Sequence, residues 1–329
     1  MQYDALTKTL LHLLSDNGFH SGTELASRLG ISRTAVWKAV RALQYRGIEI
    51  AALPGKGYRV TQPVELLSET VIQSSLSPSA GRLLGGLDIC DEIDSTNTHL
   101  MRLAAKGAPS GAVCLAETQT AGKGRIGRSW LSPLGANIYL SVLWRFDDHS
   151  RVAGLSLAVG VAVIRALDRT GIIGVGLKWP NDILWEDRKL GGILLEVAGE
   201  AHGGCAVIVG LGLNRYIPPV VGRGIDQAWV DLATVAGASA PSRNRLAASI
   251  LSELLPLLND YRHTGLGPYL AEWRRYHHLT GREVVVRQGD TETAGTVADV
   301  TGEGLLVVVC KDGKRREFAS GDVRLRIAG

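Results

Sequence analysis

The densest chemistry in the chain follows Glu117, in the run Thr118-Gln119-Thr120-Ala121-Gly122-Lys123-Gly124-Arg125-Ile126-Gly127-Arg128-Ser129-Trp130. From Gly122 to Arg128 it holds three glycines, three cations and no acid. Glycine lets backbone N–H groups come close to a ligand. Successive N–H groups with lysine and arginine make a concave anion site. That chemistry suits a phosphate, or a carboxylate becoming an acyl phosphate, although the same composition suits a solvated surface loop. Gly122, Gly124 and Gly127 satisfy G-x-G-x-x-G, but a dinucleotide fold needs a helix opening at the last glycine. Here a turn, Ser132-Pro133-Leu134-Gly135, and a strand, Ile138 to Trp144, follow instead. The phosphate loop of nucleoside triphosphatases is excluded too, because no Gly-Lys-Ser/Thr stands four residues after a glycine.

The elements that must position this run flank it. Ala112 to Ala116 reads as a strand leading in. Asp94-Ser95-Thr96-Asn97 stands where a helix begins that runs to about Lys106, so its side chains suit a cap or a polar ligand. An apolar helix spans Val152 to Arg169. In Val175 to Trp185 the strand breaks at Pro180-Asn181, which puts Asn181 and Asp182 at a turn. Glu186-Asp187-Arg188 forms a hairpin tip and Lys189 to Glu196 the return strand. Val207 to Leu213 is a further strand ending at Asn214, and residues 215–230 form an irregular loop closed by Trp229. Ser242 to Tyr261 reads as a helix interrupted or kinked at Pro256, and Pro268 to Tyr276 as another. His277 and His278 read as solvated surface.

With 329 residues, two or three domains are expected. No apolar run is long enough to span a bilayer, and no signal-peptide pattern opens the chain. Cys90, Cys114, Cys205 and Cys310 are scattered, which reads as a reduced cytoplasmic chain without a zinc site or disulfide framework. The net charge of +4 is concentrated at one end. Residues 1–60 carry eight cations against four acids, and the remainder balances. Asp4 to Asp16 has helical periodicity, Thr23 can cap a short helix through Leu29, and Gly30 suits the turn before Ser32 caps a third helix. This is a helix-turn-helix pattern. Away from the apolar stripe Val36, Val40 and Leu43, the third helix offers Arg33, Thr34, Trp37, Lys38 and Arg41. With Ser32, and with Lys56 on a Gly-rich wing between Ile48 and Val60, these types suit nucleic acid contacts. A short helical stretch, Glu65 to Leu76, follows in a connector. At the other end, five short strands with Gly- and Asp-containing turns, from Arg282 to Ile327, predict a small β-barrel.

Five ordered motifs together make a resemblance: Asp94-Ser95-Thr96-Asn97, the run from Gln119 to Trp130, Lys178-Trp179-Pro180-Asn181-Asp182, Asp187 to Leu194, and Gly210-Leu211-Gly212-Leu213-Asn214. The chain resembles the biotin protein ligases and, with its head, the bifunctional type that also represses biotin synthesis. The resemblance implies an α+β multidomain fold. Its parts are a winged helix-turn-helix domain (1–62), a linker (63–82), a central mixed α/β sheet ligase domain (83–278) and an SH3-like β-barrel (279–329). It implies that biotin and ATP, with Mg²⁺, form biotinyl-5′-adenylate. The biotinyl group then passes to a lysine of the biotin carboxyl carrier protein of acetyl-CoA carboxylase. It assigns catalysis to Lys189, Arg125 and Asp182. Biotin falls to Ser95, Thr96, Asn97, Gln119, Lys123, Gly124, Arg125 and Lys189. The nucleotide falls to Arg128, Trp130, Asn181, Asn214 and Trp229, and DNA to Ser32, Arg33, Thr34, Lys38 and Lys56. It further implies a homodimer, formed with the adenylate bound, that binds operator DNA. Lys123 departs from the arginine the family often carries, which keeps the charge and loses the bidentate fork. A lipoate or octanoyl ligase, and a ligase-derived ligand sensor without turnover, are the rival readings.

Overall fold

Helix starts in this chain are set by small polar side chains. Ser21, Ser32, Ser68, Ser77, Ser95, Asp231 and Ser242 each accept a hydrogen bond from a backbone N–H of the first turn of the helix that follows. The architecture is taken from a computed structural model, which describes residues 5–16, 18–148, 152–199, 204–321 and 323–327.

The head contains α1 (Ala5–Leu14), α2 (Gly22–Leu29), α3 (Arg33–Tyr45) and an antiparallel wing, β1 (Ile50–Leu53) with β2 (Gly57–Val60). Asp4, expected in the first helix, lies outside the described residues. Ser21 rather than Thr23 caps α2. The reason is tertiary: His20 and Tyr58 exchange backbone hydrogen bonds at 2.9 Å, which holds the chain extended up to Ser21. Leu10, Leu14, Leu25, Val36, Val40 and Leu43 form the core of the head.

His20 closes the turn between α1 and α2. Its Nε2 meets Asp16 Oδ1 at 2.9 Å and its Nδ1 meets Glu24 Oε1 at 3.0 Å. The Asp16 and Glu24 carboxylates hold the imidazole above its ordinary value, and His20 holds Asp16 below the usual carboxylate range. A raised histidine stabilises the fold fully below its unfolded value of about 6.5, and this is lost as pH rises through the folded value. The Asp16 contribution is lost in the opposite direction, as pH falls through its own depressed value. Head stability is therefore expected to decline from mildly acidic to alkaline pH. Urea unfolding of the full chain followed by head-specific hydrogen exchange would show this slope, and His20→Gln should flatten it.

The connector carries α4 (Glu69–Ser74) and α5 (Pro78–Leu83), both packed on a later helix. The central domain follows as β3 (Gly86–Cys90), α6 (Thr96–Ala105), β4 (Ala112–Ala116), β5 (Ile138–Phe146), α7 (Leu155–Arg169), β6 (Val175–Lys178), β7 (Asp182–Trp185), β8 (Arg188–Gly199), β9 (Cys205–Leu213), α8 (Pro219–Gly222), α9 (Leu232–Ala236), α10 (Arg243–Thr264) and α11 (Gly267–Tyr276). Seven strands form one mixed sheet in the order β3-β4-β5-β9-β8-β7-β6, with β3 and β4 parallel and the other neighbours antiparallel. The apolar α7 and α10 pack together over one face, and α6 covers part of the other through Leu100 and Ala104. Helix α10 runs through Pro256 uninterrupted.

The final segment forms β10 (Glu283–Gln288), β11 (Thr291–Val300), β12 (Leu306–Cys310), β13 (Arg315–Phe318) and β14 (Val323–Ile327). They pair as an antiparallel sheet, β13-β12-β11-β10-β14. The expected barrel is not closed: among the described residues no ladder joins β13 to β14. Part of the connection between these edge strands turns its carbonyls to the central domain instead, where Ser320 and Gly321 accept hydrogen bonds from Arg125. Within the described residues no helix is long and apolar enough to cross a membrane.

Candidate active site

The glycine-rich run folds back on itself at the mouth of the sheet. Trp130 N–H donates to Gly122 O at 2.8 Å and Gly124 N–H to Arg128 O at 2.7 Å, so the run is a tight hairpin rather than an open loop. Its tip is strained. Ile126 is β-branched yet sits at φ 55° and ψ 45°, a conformation costing about 1–3 kcal/mol at a non-glycine residue.

Behind the hairpin lies a cleft of two adjoining chambers. The first is lined by Ser95, Thr96, Asn97 and Gln119 together with Lys123, Arg125, Asn181, Asp182 and Lys189. The second, of about 290 Å³, is lined by Arg128, Trp130, Leu131, Asn214 and Trp229. Trp130 and Lys189 border both. The indole N–H of Trp130 is buried without a partner among the described residues. Asn181, assigned by resemblance to the nucleotide, lines the first chamber rather than the second. Its Oδ1 accepts from Arg125 at 3.2 Å, and its Nδ2 donates to Ile193 O at 2.6 Å.

The first chamber has a fixed polar end. Capping places Ser95 at the start of α6, and Thr96 and Asn97 turn into the sheet, all three buried. Gln119 Oε1 accepts from Thr96 N–H at 2.9 Å. Asn97 Nδ2 donates to Glu196 Oε2 at 2.7 Å, and Ser141 Oγ lies 2.6 Å from Asn97 Oδ1. This fixes which end of the Asn97 amide donates. Gly210 forms the floor: a Cβ there would lie 2.2 Å from Asn97 Oδ1. Gly210→Ala is expected to destabilise the protein by roughly 1–3 kcal/mol, the usual penalty of overpacking. Chemical unfolding of the variant measures it directly, and unchanged stability would show that the Asn97 amide can move aside. Gly212 is equally constrained, since a Cβ would lie 2.4 Å from the Trp130 ring.

Cations fill the border. Lys189 Nζ meets Asp182 Oδ1 at 2.7 Å and stands 5.6 Å from the Trp130 ring centroid. The start of β8 is clamped to the end of the 215–230 loop, with Lys189 N–H donating to Ala228 O and Val230 N–H to Lys189 O, each at 3.0 Å. Asn214 Nδ2 joins the carbonyls of Lys189 and Val230. Lys123 Nζ lies 3.5 Å from Glu196 Oε1, a contact that a single ammonium can make without the arginine fork. Lys178, to which the resemblance assigns no role, also lines the cleft. Burial pushes its ammonium below the ordinary lysine value, Lys189 and Arg128 act in the same direction, and Asp182 opposes them. Ser141 and Glu196, hidden inside strands, carried no local signal. Neither did Gln227 or the contributions of β14, Leu325 and Arg326, which reach the first chamber from the C-terminal sheet.

Of the two histidines expected at the solvated surface, one is not there. His277 is buried and stacked on Trp273 with centroids 4.4 Å apart, because α11 ends by pairing Leu177 and turning the ring inward. Burial lowers it to about 4. His278 packs over Gly176 near Asp187, outside the cleft.

A mixed sheet with a cationic two-chamber cleft, joined to a winged helix-turn-helix head, defines a class of ligase-fold proteins carrying a nucleic-acid-binding module. Comparison with known proteins agrees. Residues 90–214 match the biotin/lipoate A/B protein ligase family, 6–59 an HTH domain, and 279–326 the biotin protein ligase C-terminal domain. The chain is 37% identical over 321 residues to the bifunctional ligase/repressor BirA of Salmonella typhimurium, covering 97% of each chain. It is 36% identical over 329 residues to the Escherichia coli protein of that name, covering 100% of this chain and 99% of the relative. The structure of a biotin protein ligase from Aquifex aeolicus, in complex with biotin and ATP, superposes with a TM-score of 0.62 at 26% identity, covering 74% of this chain and 99% of the other. The chain belongs to the family of bifunctional ligase/repressor proteins within the biotin/lipoate protein ligases.

Proposed function

We propose that the protein is a biotin protein ligase that also represses transcription in response to biotin. It activates biotin with ATP and transfers the product to a carrier lysine. The observation that carries this is the cleft itself: two chambers meeting at Lys189 and Trp130, with Arg125 and Lys123 on the first side and Arg128 on both. In the first step a biotin carboxylate oxygen bonds to the α-phosphorus and pyrophosphate leaves. Two anions must meet, so fixed cations in a sheltered cleft lower the barrier. Ser95, Thr96, Asn97 and Gln119 orient the ureido ring, and Trp229 and Asn214 shape the nucleotide side. In the second step a carrier lysine amine forms a C–N bond to the activated carbonyl and AMP leaves. Asp182, besides holding Lys189, is placed to take the amine proton.

Among the described residues no cluster of three metal-binding side chains exists. The acids lining the chambers are Asp182 and Asp226. Mg²⁺ would therefore arrive on the triphosphate, held by phosphate oxygens and water, and offset their charge. The acceptor is the biotin carboxyl carrier protein of acetyl-CoA carboxylase, and the compartment is the cytoplasm. The head, with Ser32, Arg33, Thr34, Lys38 and Lys56, binds operator DNA as an adenylate-bound homodimer. The boundaries 1–62, 63–82, 83–278 and 279–329 belong to the same reading, with the C-terminal antiparallel sheet supporting the nucleotide site and the docked carrier.

The test is direct. Purified protein with biotin, Mg²⁺ and ATP should release pyrophosphate and then label a carrier domain. No pyrophosphate would reduce the protein to a ligand sensor, and preference for lipoate over biotin would make it the other kind of ligase.

A further inference from the structure

We propose that Trp37, braced by Arg41, reads the 5-methyl groups of thymines in the major groove and so supplies sequence selectivity. This rests on the DNA-binding reading of the head and names the base feature it recognises. Residues 33, 34, 37, 38 and 41 recur at helical spacing on one exposed face of α3, while Val36, Ala39, Val40 and Leu43 face the head core. On that face Trp37 is 51% exposed although tryptophan is large and apolar. It belongs to no core cluster of the described residues. Its ring is nonetheless positioned, because the Arg41 guanidinium lies 5.6 Å from the ring centroid.

The surroundings select the partner. Trp37 lines an open groove with Arg33 and Thr34 on one side and the wing residues Leu53, Pro54 and Tyr58 on the other. Lys56 and Arg59, at the wing, stand over the Phe19 ring 6.0 and 4.6 Å from its centroid. A rim of cations around an apolar strip matches duplex DNA, whose phosphates border a groove in which thymine alone presents a methyl group. Cations contact phosphate without regard to sequence, whereas an indole face in the groove gains from each methyl it covers.

The experiment uses the full chain with biotin and ATP. A duplex is selected by the wild-type protein from a random-sequence pool, and a second copy is made with deoxyuridine for thymine. Wild type should lose about fourfold affinity for each contacted methyl removed, the value of one buried methyl-sized group. Trp37→Ala should bind the selected duplex about tenfold more weakly, a mismatch-sized loss, and be indifferent to uridine. Its salt dependence should stay unchanged because no phosphate contact is lost. Trp37→Phe, which keeps a flat apolar face, should retain part of the methyl discrimination, and biotin transfer should be normal in both variants. Arg33→Ala should instead reduce the salt dependence. If Trp37→Ala keeps its uridine sensitivity, or weakens selected and random duplexes equally, the proposal is overturned while the DNA-binding reading stands. If wild type selects no duplex, the DNA-binding reading itself fails and takes this one with it.

Discussion

Replacing Lys189 with alanine is expected to slow formation of the adenylate by about 10²–10³-fold, the cost of deleting one preorganised group that stabilises transition-state charge. The loss has two parts. The ammonium lies between the chambers, where the proposed reaction brings the carboxylate and the α-phosphate together. It also neutralises Asp182, 2.7 Å away and largely sheltered, with 22% of its side chain exposed. Without Lys189 that carboxylate would repel both substrates. Lys189→Ala should therefore be worse than Lys189→Ala combined with Asp182→Asn. Rates of biotin- and ATP-dependent pyrophosphate release for wild type, both single variants and the double variant complete the cycle. A Lys189→Ala rate within threefold of wild type would remove the residue from the mechanism. Equal rates for the single and double variants would show that Asp182 acts only after the adenylate has formed.

The largest stability effect should come from Arg243. Its guanidinium is fully buried and meets Glu117 Oε2 at 2.5 Å, with the Glu117 side chain 1% exposed. It also donates to Asn137 O at 3.0 Å and to Glu65 O at 2.5 Å, while Glu117 Oε1 accepts from Leu67 N–H at 2.6 Å. Arg243→Met is expected to destabilise the protein by about 3–5 kcal/mol, because it leaves a buried carboxylate without its counter-charge. Adding Glu117→Gln should recover a substantial part, since a neutral pair carries no uncompensated charge. Chemical unfolding of the two variants distinguishes this from simple loss of packing, in which the second change would deepen the damage. The connector between head and catalytic domain is bonded to this pair, and Leu134, a few residues beyond Trp130, is buried in the core of the head. The destabilisation should therefore appear in hydrogen exchange of both parts.

Much of the site was legible because the information was local. A glycine-cation hairpin, a polar triplet at a helix start and a Pro-Asn turn each announce themselves within a few residues. The resemblance ordered them along the chain. The structure places Ser95, Thr96, Asn97, Gln119, Lys123, Gly124, Arg125, Asp182 and Lys189 around one chamber. Partners were illegible. Asn97 is oriented by Glu196, 99 residues away, and Arg125 donates to carbonyls 195 and 196 residues away. Nothing in a strand's alternation says which side chain across a fold will complete a hydrogen bond.

The sequence by itself determined the parts: that small polar residues precede the helices, which face of α3 is cationic, that three glycines and three cations share one short loop, and that His20 has acids four residues to either side. Tertiary structure decided the rest. It replaced Thr23 by Ser21 as the cap of α2, buried His277, left the C-terminal sheet unclosed among the described residues, and joined Glu117 to Arg243 across 126 residues. Capping and periodicity depend on neighbours within a turn or two, so the chain spells them out. Burial, counter-charge and edge closure depend on what the folded surface supplies from far along the chain, and so only the assembled molecule fixes them.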